Sequence, residues 1–280
     1  MRLVVNGVYL NVEAAGFQPP PLVLLHGFTG SHASWRALPA DWSRQFQVIA
    51  VDLLGHGRSD APADPARYAM DRCVADLASA LDQLGAAAVN VLGYSLGGRV
   101  ALHFAAAHPE RVRALILESA SPGLAIPEER AARIAADEAL AGRLERDGLE
   151  AFVDYWERLP LFASQARLPA EARAALRAQR LQNNPVGLAN SLRGLGTGAQ
   201  PSLWERLPEL HAPTLLVAGA LDEKFTAIAR QMAAHLPAAR LGIVPDAGHT
   251  VHLEQPDTFQ RLIAEFLGRP TRPAQPLTTD

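Results

Sequence analysis

Ser95, Asp222 and His249 stand far apart in the chain, yet their side chains together can do one chemistry. A serine hydroxyl is neither nucleophile nor base at neutral pH until an imidazole takes its proton. The imidazole in turn needs a carboxylate to hold its tautomer. Ser95 lies in Gly93-Tyr94-Ser95-Leu96-Gly97, after the apolar residues Val89, Val91 and Leu92 and before a helical pattern through Val100, Leu102 and Phe104. G-x-S-x-G between a strand and a helix is the setting of a nucleophile elbow. The glycines leave room for a tight, strained turn, and the helix that follows offers unpaired N–H groups to developing negative charge. Asp222 and His249 each follow an expected strand, in the glycine-bearing segments Gly219-Ala220-Leu221-Asp222 and Ala247-Gly248-His249. Backbone N–H groups of Leu96 and of Phe28, in His26-Gly27-Phe28-Thr29-Gly30, are the expected oxyanion hole.

Other side chains compete for these roles. Glu118 also ends an expected strand and could be the acid. Asp52 and Asp246 fit structural turns better. His252, three residues after His249, could share a helical face with it, but two histidines without a third ligand make a poor zinc site. His26 and His56 suit loop bracing through hydrogen bonds.

The elements that must carry these groups alternate. Strands are expected at Arg2–Val5 and Val8–Val12, joined by the hairpin signal Asn6-Gly7, then at Leu22–Leu25, Val48–Val51, from Val89, and at Arg113–Glu118. A helix over Met70–Leu84 stops at Gly85. Strands separated by helices at short spacing argue for a parallel sheet covered on both faces. From Pro122 to about Leu207 the strand signal vanishes, and helices are expected at Glu128–Leu144, Leu149–Arg158, Pro169–Gln182 and, more weakly, Val186–Leu195. Such an insertion is well placed to cover the strand C-termini, where these sheets bind ligands. Strands resume at Thr214–Ala218 and Arg240–Val244, and a helix at Pro256–Leu267 closes the fold. The division is 1–121 and 207–268 for the core, 122–206 for the helical lid, and 269–280, with three prolines, for a disordered tail.

Bulk properties narrow the class. The 280 residues are 49% hydrophobic with a formal charge of −3, which gives no footprint for nucleic acid. No apolar run approaches the ~18 residues of a membrane span, and no basic-then-apolar leader opens the chain. Cys73 is the only cysteine, so no intramolecular disulfide can form. A cytoplasmic protein, monomeric or a small homo-oligomer, is expected. Lys224 is the only lysine, so no arginine is informative merely by being present.

The order Ser95…Asp222…His249 is that of the α/β-hydrolase fold. Within that fold the chain resembles the 2-succinyl-6-hydroxy-2,4-cyclohexadiene-1-carboxylate (SHCHC) synthases of menaquinone biosynthesis. The resemblance runs through Gly93-Tyr94-Ser95-Leu96-Gly97-Gly98-Arg99, His26-Gly27-Phe28-Thr29-Gly30, Ser34-Trp35, Glu118 to Leu124, Tyr155-Trp156, Leu161-Phe162-Ala163, Gln179-Arg180, Gly194 to Gly198, Asp222-Glu223-Lys224-Phe225 and Ala247-Gly248-His249. It implies a lyase that needs no metal or organic cofactor and eliminates pyruvate from a tricarboxylate, with the triad removing a ring proton. It also implies that Arg99, Arg133 and Arg180 bind the carboxylates, with Tyr94 and Trp156 lining the pocket. Guanidinium forks suit such a substrate, because each buried carboxylate needs a two-point partner. Arg130, Arg173 and Arg177 are near neighbours that could be confused with the lid pair. A carboxylesterase or carbon–carbon hydrolase would need the same triad but not three inward arginines.

Overall fold

The computed structural model describes residues 1–36 and 42–268; the expected tail, 269–280, lies outside them. Eight strands form one sheet: β1 (Arg2–Val5), β2 (Val8–Ala15), β3 (Leu22–Leu25), β4 (Val48–Val51), β5 (Val89–Tyr94), β6 (Val112–Glu118), β7 (Thr214–Gly219) and β8 (Ala239–Val244). Their spatial order is β1-β2-β4-β3-β5-β6-β7-β8. Only the β1–β2 and β2–β4 pairs are antiparallel. All other neighbours run parallel. The strand β2 continues three residues past its expected end, because Val12–Ala15 find partners on β4.

Side chains that alternate along the central strands divide the core in two. Val23, Leu25, Val91, Leu115 and Leu117 pack on one face with α2 (Met70–Gln83), α3 (Leu96–Ala107) and α7 (Glu223–His235). Leu22, Leu24, Leu92, Ile116 and Leu215 pack on the other with the C-terminal helix (Pro256–Phe266) and the short α1 (Trp42–Gln45). Both faces are covered, so β3 is buried at every residue.

Between β6 and β7 the described chain forms helices only. In α4 (Pro127–Glu157), Gly148 takes φ +83° and kinks the helix where the sequence separates two. A 3₁₀ segment (Pro160–Arg167), α5 (Ala170–Arg180) and α6 (Pro185–Leu195) follow. The insertion has its own small core, Leu144, Phe152, Leu188 and Leu192, against which Trp156 and Phe28 pack. It is also pinned to the sheet loops by polar contacts. Asn183 donates to the Thr29 carbonyl (2.8 Å) and accepts from the Gly57 N–H (2.9 Å), and Gln179 donates to Ser34 Oγ (2.6 Å).

The helix α7 was not anticipated from sequence. Its signal is present in the apolar spacing Phe225, Ile228, Ala229, Met232, which fits one helical face. Two parallel strands also require such a crossover. No helix among the described residues is long and apolar enough to cross a membrane.

Candidate active site

Register brings the loops together. Leu25 of β3 pairs with Gly93 of β5, so the turn after β3 lies beside the turn after β5. Tyr94 pairs with Glu118 of β6, and the Ser95 N–H donates to the Glu118 carbonyl at 2.8 Å. Gly219 of β7 pairs with Val244 of β8, which places the loops carrying Asp222 and His249 next to each other.

Ser95 adopts φ +50°, ψ −107°, a conformation that costs a side-chain-bearing residue about 1–3 kcal/mol. The neighbouring glycines make the turn possible. A Cβ on Gly93 would run into the Gly97 carbonyl, and one on Gly97 into the carbonyl of Leu25. Held there, Ser95 Oγ donates to His249 Nε2 at 3.1 Å. His249 Nδ1–H donates to Asp222 Oδ2 at 2.7 Å. The other oxygen of Asp222 caps α7, accepting the Phe225 N–H at 3.2 Å. The positive end of a helix therefore faces this carboxylate. Asp222 and His249 are buried, and the rings of Phe225, Tyr94 and Phe162 surround the imidazole at centroid distances of 4.6, 5.5 and 6.0 Å.

Leu96 is the first residue of α3, where backbone N–H groups lack helical acceptors. The turn that carries Phe28 abuts the same point: a Cβ on Gly27 would lie 3.5 Å from Ser95 Cβ and press on the Tyr94 ring. Both segments expected to form an oxyanion hole thus flank Ser95.

The competing groups have other partners. Glu118 is fully buried and accepts from the His252 backbone N–H (3.0 Å) and from His252 Nδ1 (2.8 Å). His252 therefore turns away from His249 and toward Glu118, and Glu118 does not reach His249. Asp52 accepts from Asn11, His32 and Arg58. Asp246 sits in a turn at φ +56°. His26 Nε2 accepts the Leu53 N–H and His56 Nδ1 donates to the Leu54 carbonyl, so both brace loops. Burial holds His56 neutral, with a pKa near 3, and lowers that of His26.

The arginines fall into two groups. Arg99 is on α3, one turn beyond Ser95, and donates to the Leu195 carbonyl and to Gln200 Oε1 (3.1 Å). Burial, and then the like charge of Arg133, bring its pKa down to about 10, and Asp137 opposes that shift. Arg133 Nε donates to the buried Asp137 at 2.9 Å. Arg180 lies elsewhere, at the end of α5, and is only 5% exposed. Its Nη1 donates to Glu157 (2.9 Å) and its Nη2 to Gln165 (3.4 Å), and its ring neighbour is Phe162. Arg180, Tyr94, Phe28, Phe162, Gln165 and Thr250 line one cavity of about 30 Å³, roughly the share of a single water in the liquid. Arg99 and Arg133 do not line it. Trp156 meets the Phe28 ring edge-on at 5.1 Å, and its buried Nε1 has no partner among the described residues. Of the near neighbours, Arg130 donates to the Gly198 carbonyl and Arg177 pairs with Asp154 and Glu157, while Arg173 is exposed.

Sequence reasoning did not find Gln165, Thr250 or Glu157 beside Arg180. The 3₁₀ segment that carries Gln165 has no clear periodicity to announce it.

The alpha/beta hydrolase fold family matches residues 20–256. A Bacillus subtilis protein provisionally named a 2-succinyl-6-hydroxy-2,4-cyclohexadiene-1-carboxylate synthase is 52% identical over 88% of this chain and 89% of its own length. A protein named for the same synthase in Serratia proteamaculans is 35% identical over 90% of this chain and 94% of its own. Among solved structures, MenH from S. aureus superimposes with a TM-score of 0.88 at 38% identity, over 92% of this chain and 97% of that one. A thermophilic esterase from Thermogutta terrifontis gives a TM-score of 0.84 at 29% identity, over 96% and 98%. The chain belongs to the 2-succinyl-6-hydroxy-2,4-cyclohexadiene-1-carboxylate synthase family of the α/β-hydrolase fold.

Proposed function

We propose that this enzyme is a lyase that eliminates pyruvate from 2-succinyl-5-enolpyruvyl-6-hydroxy-3-cyclohexene-1-carboxylate to give SHCHC, a step of menaquinone biosynthesis. The observation that carries this is the pairing of a complete Ser95–His249–Asp222 relay with a buried arginine, Arg180, in the cavity beside it. An ester needs the relay alone. A multiply charged substrate needs guanidinium groups held inward, because an uncompensated carboxylate out of water is costly.

His249, oriented by Asp222, takes the Ser95 proton as Ser95 Oγ removes a proton from the substrate ring. The electron pair left behind forms the new ring double bond, and the C–O bond to the enolpyruvyl group breaks. Enolpyruvate leaves and becomes pyruvate on taking a proton at carbon. The Phe28 and Leu96 N–H groups stabilise the charge that develops on the succinyl ketone oxygen during proton removal, where each donor contributes about 3–4 kcal/mol. Arg99, Arg133 and Arg180 take the substrate carboxylates, and Tyr94 and Trp156 shape the pocket. Residues 122–206 act as a lid over the core formed by 1–121 and 207–268. The cytoplasm is the compartment we assign.

The deciding experiment follows pyruvate release from the authentic intermediate, with Ser95→Ala as control and nitrophenyl ester cleavage measured alongside. Rapid pyruvate release lost in Ser95→Ala is expected. Fast ester turnover without pyruvate would replace this function with that of a carboxylesterase.

A further inference from the structure

Arg180 is held by side chains from two other segments of the insertion. Glu157, at the end of α4, takes Nη1, and Gln165, in the 3₁₀ segment, takes Nη2. Its Nε is buried and has no partner among the described residues. With both terminal nitrogens anchored, the guanidinium plane is fixed where Arg180 lines the cavity.

Gln165 has a second contact. Its side-chain NH₂ donates to Thr250 Oγ1 at 2.7 Å. Thr250 follows His249 directly in the chain, its N–H donates to Glu254 at 3.1 Å, and its hydroxyl shares a hydrogen bond of 3.2 Å with Tyr94. The 3₁₀ segment also presses on this loop from the side, since a Cβ on Gly248 would meet the Ser164 side chain. Gln165 is itself 8% exposed.

We propose that Gln165 is a positioning residue: its amide ties the anion-binding Arg180 of the lid to the Thr250 hydroxyl beside the catalytic histidine. A carboxamide is the one side chain of this length that accepts from a guanidinium at one atom and donates to a hydroxyl at the other. A glutamate would instead draw the Arg180 charge onto itself. Leucine would satisfy neither partner. The lid segment and the histidine loop are thereby tied side chain to side chain, with the arginine held in place beside the cavity. This rests on the functional role proposed above for Arg180.

The test uses the full-length enzyme and pyruvate release from the authentic intermediate. Gln165→Leu is expected to raise KM about tenfold with kcat changed much less, the effect of losing a hydrogen bond to a charged group that binds ground and transition states alike. Because Gln165 acts through Arg180, adding Gln165→Leu to Arg180→Ala is expected to bring no further loss. A residue that merely filled space would lower activity in both backgrounds. Gln165→Glu, which keeps the shape, serves if the leucine variant unfolds, as thermal melting would reveal. It too is expected to raise KM about tenfold, by competing for the guanidinium. A KM within twofold of the parent, or losses that multiply with Arg180→Ala, would overturn the proposal. The parent enzyme serves as the reference. Failure of the unaltered chain to release pyruvate would instead overturn the functional assignment, and this role with it.

Discussion

The two halves of the site are positioned by different means. Ser95, His249 and Asp222 hang from the ends of β5, β8 and β7, and the main chain sets their spacing: strand register, a turn at φ +50°, a helix cap. Arg99, Arg133 and Arg180 are set by other side chains and by lone carbonyls of the insertion, namely Leu195, Gln200, Asp137, Glu157 and Gln165. Backbone-built geometry follows from the register and turns of the sheet itself. Side-chain-built geometry can be re-aimed by single substitutions, so on the function proposed above the sheet would set the chemistry and the insertion the choice of substrate.

Single substitutions can test this division. The largest effect is expected for Ser95→Ala, with kcat falling by about 10⁴-fold or more while the substrate still binds in equilibrium titration. Loss of binding together with turnover would show that the two halves are not separable. Next come Arg99→Ala and Arg180→Ala, each expected to reduce kcat/KM by about 2–5 kcal/mol, because a carboxylate is stranded without its buried partner. Arg133→Ala should do less, about 1 kcal/mol, since its side chain is 39% exposed and water screens it. If Arg133 proved the most costly of the three, the lid would have to sit differently on its substrate.

A smaller effect concerns stability rather than rate. Burial lowers the pKa of His56 to about 3 and that of His103 to about 4, in the second case with help from the Arg99 charge. Unfolded histidines take up protons near pH 6.5, so below that pH the unfolded chain binds more protons than the folded one. Each group's contribution is fully present above pH 6.5 and declines as pH falls toward its folded value, with a slope of about 1.4 kcal/mol per unit. Urea midpoints measured from pH 7 to pH 5 should show this decline, and His103→Gln should flatten it. His56 belongs to the sheet side and His103 lies near Arg99. Comparing His103→Gln with His56→Gln thus indicates which of the two regions contributes more to the decline.

The same division explains what could be read from the chain. Runs such as Leu22–Leu25 and Thr214–Gly219 are buried on both faces and announce themselves as unbroken apolar stretches. The elbow glycines and the chain order of the triad are local and regular, so Ser95, Asp222 and His249 could be named from pattern alone, as could the all-helical character of the insertion. Which arginine meets which partner could not be read. Arg173, Arg177 and Arg180 occupy one short helix with similar surroundings in sequence, and only the last is buried, against Glu157 of α4 and against Phe162 and Gln165 of the 3₁₀ segment. The Glu118–His252 pair escaped for a related reason. Its members lie 134 residues apart and pair through tertiary contact, although each sits near a residue whose role was evident.

The conformation of Ser95 has a further consequence. Its φ of +50° is one that glycine tolerates and a side chain resists, so the fold is carrying a residue that evolution would discard on grounds of stability alone. Replacing it by glycine and by alanine both abolish the hydroxyl, but only glycine should relax the turn. The difference between their unfolding free energies, about 1–3 kcal/mol in favour of glycine, would measure how much thermodynamic robustness the enzyme gives up to keep its hydroxyl in place.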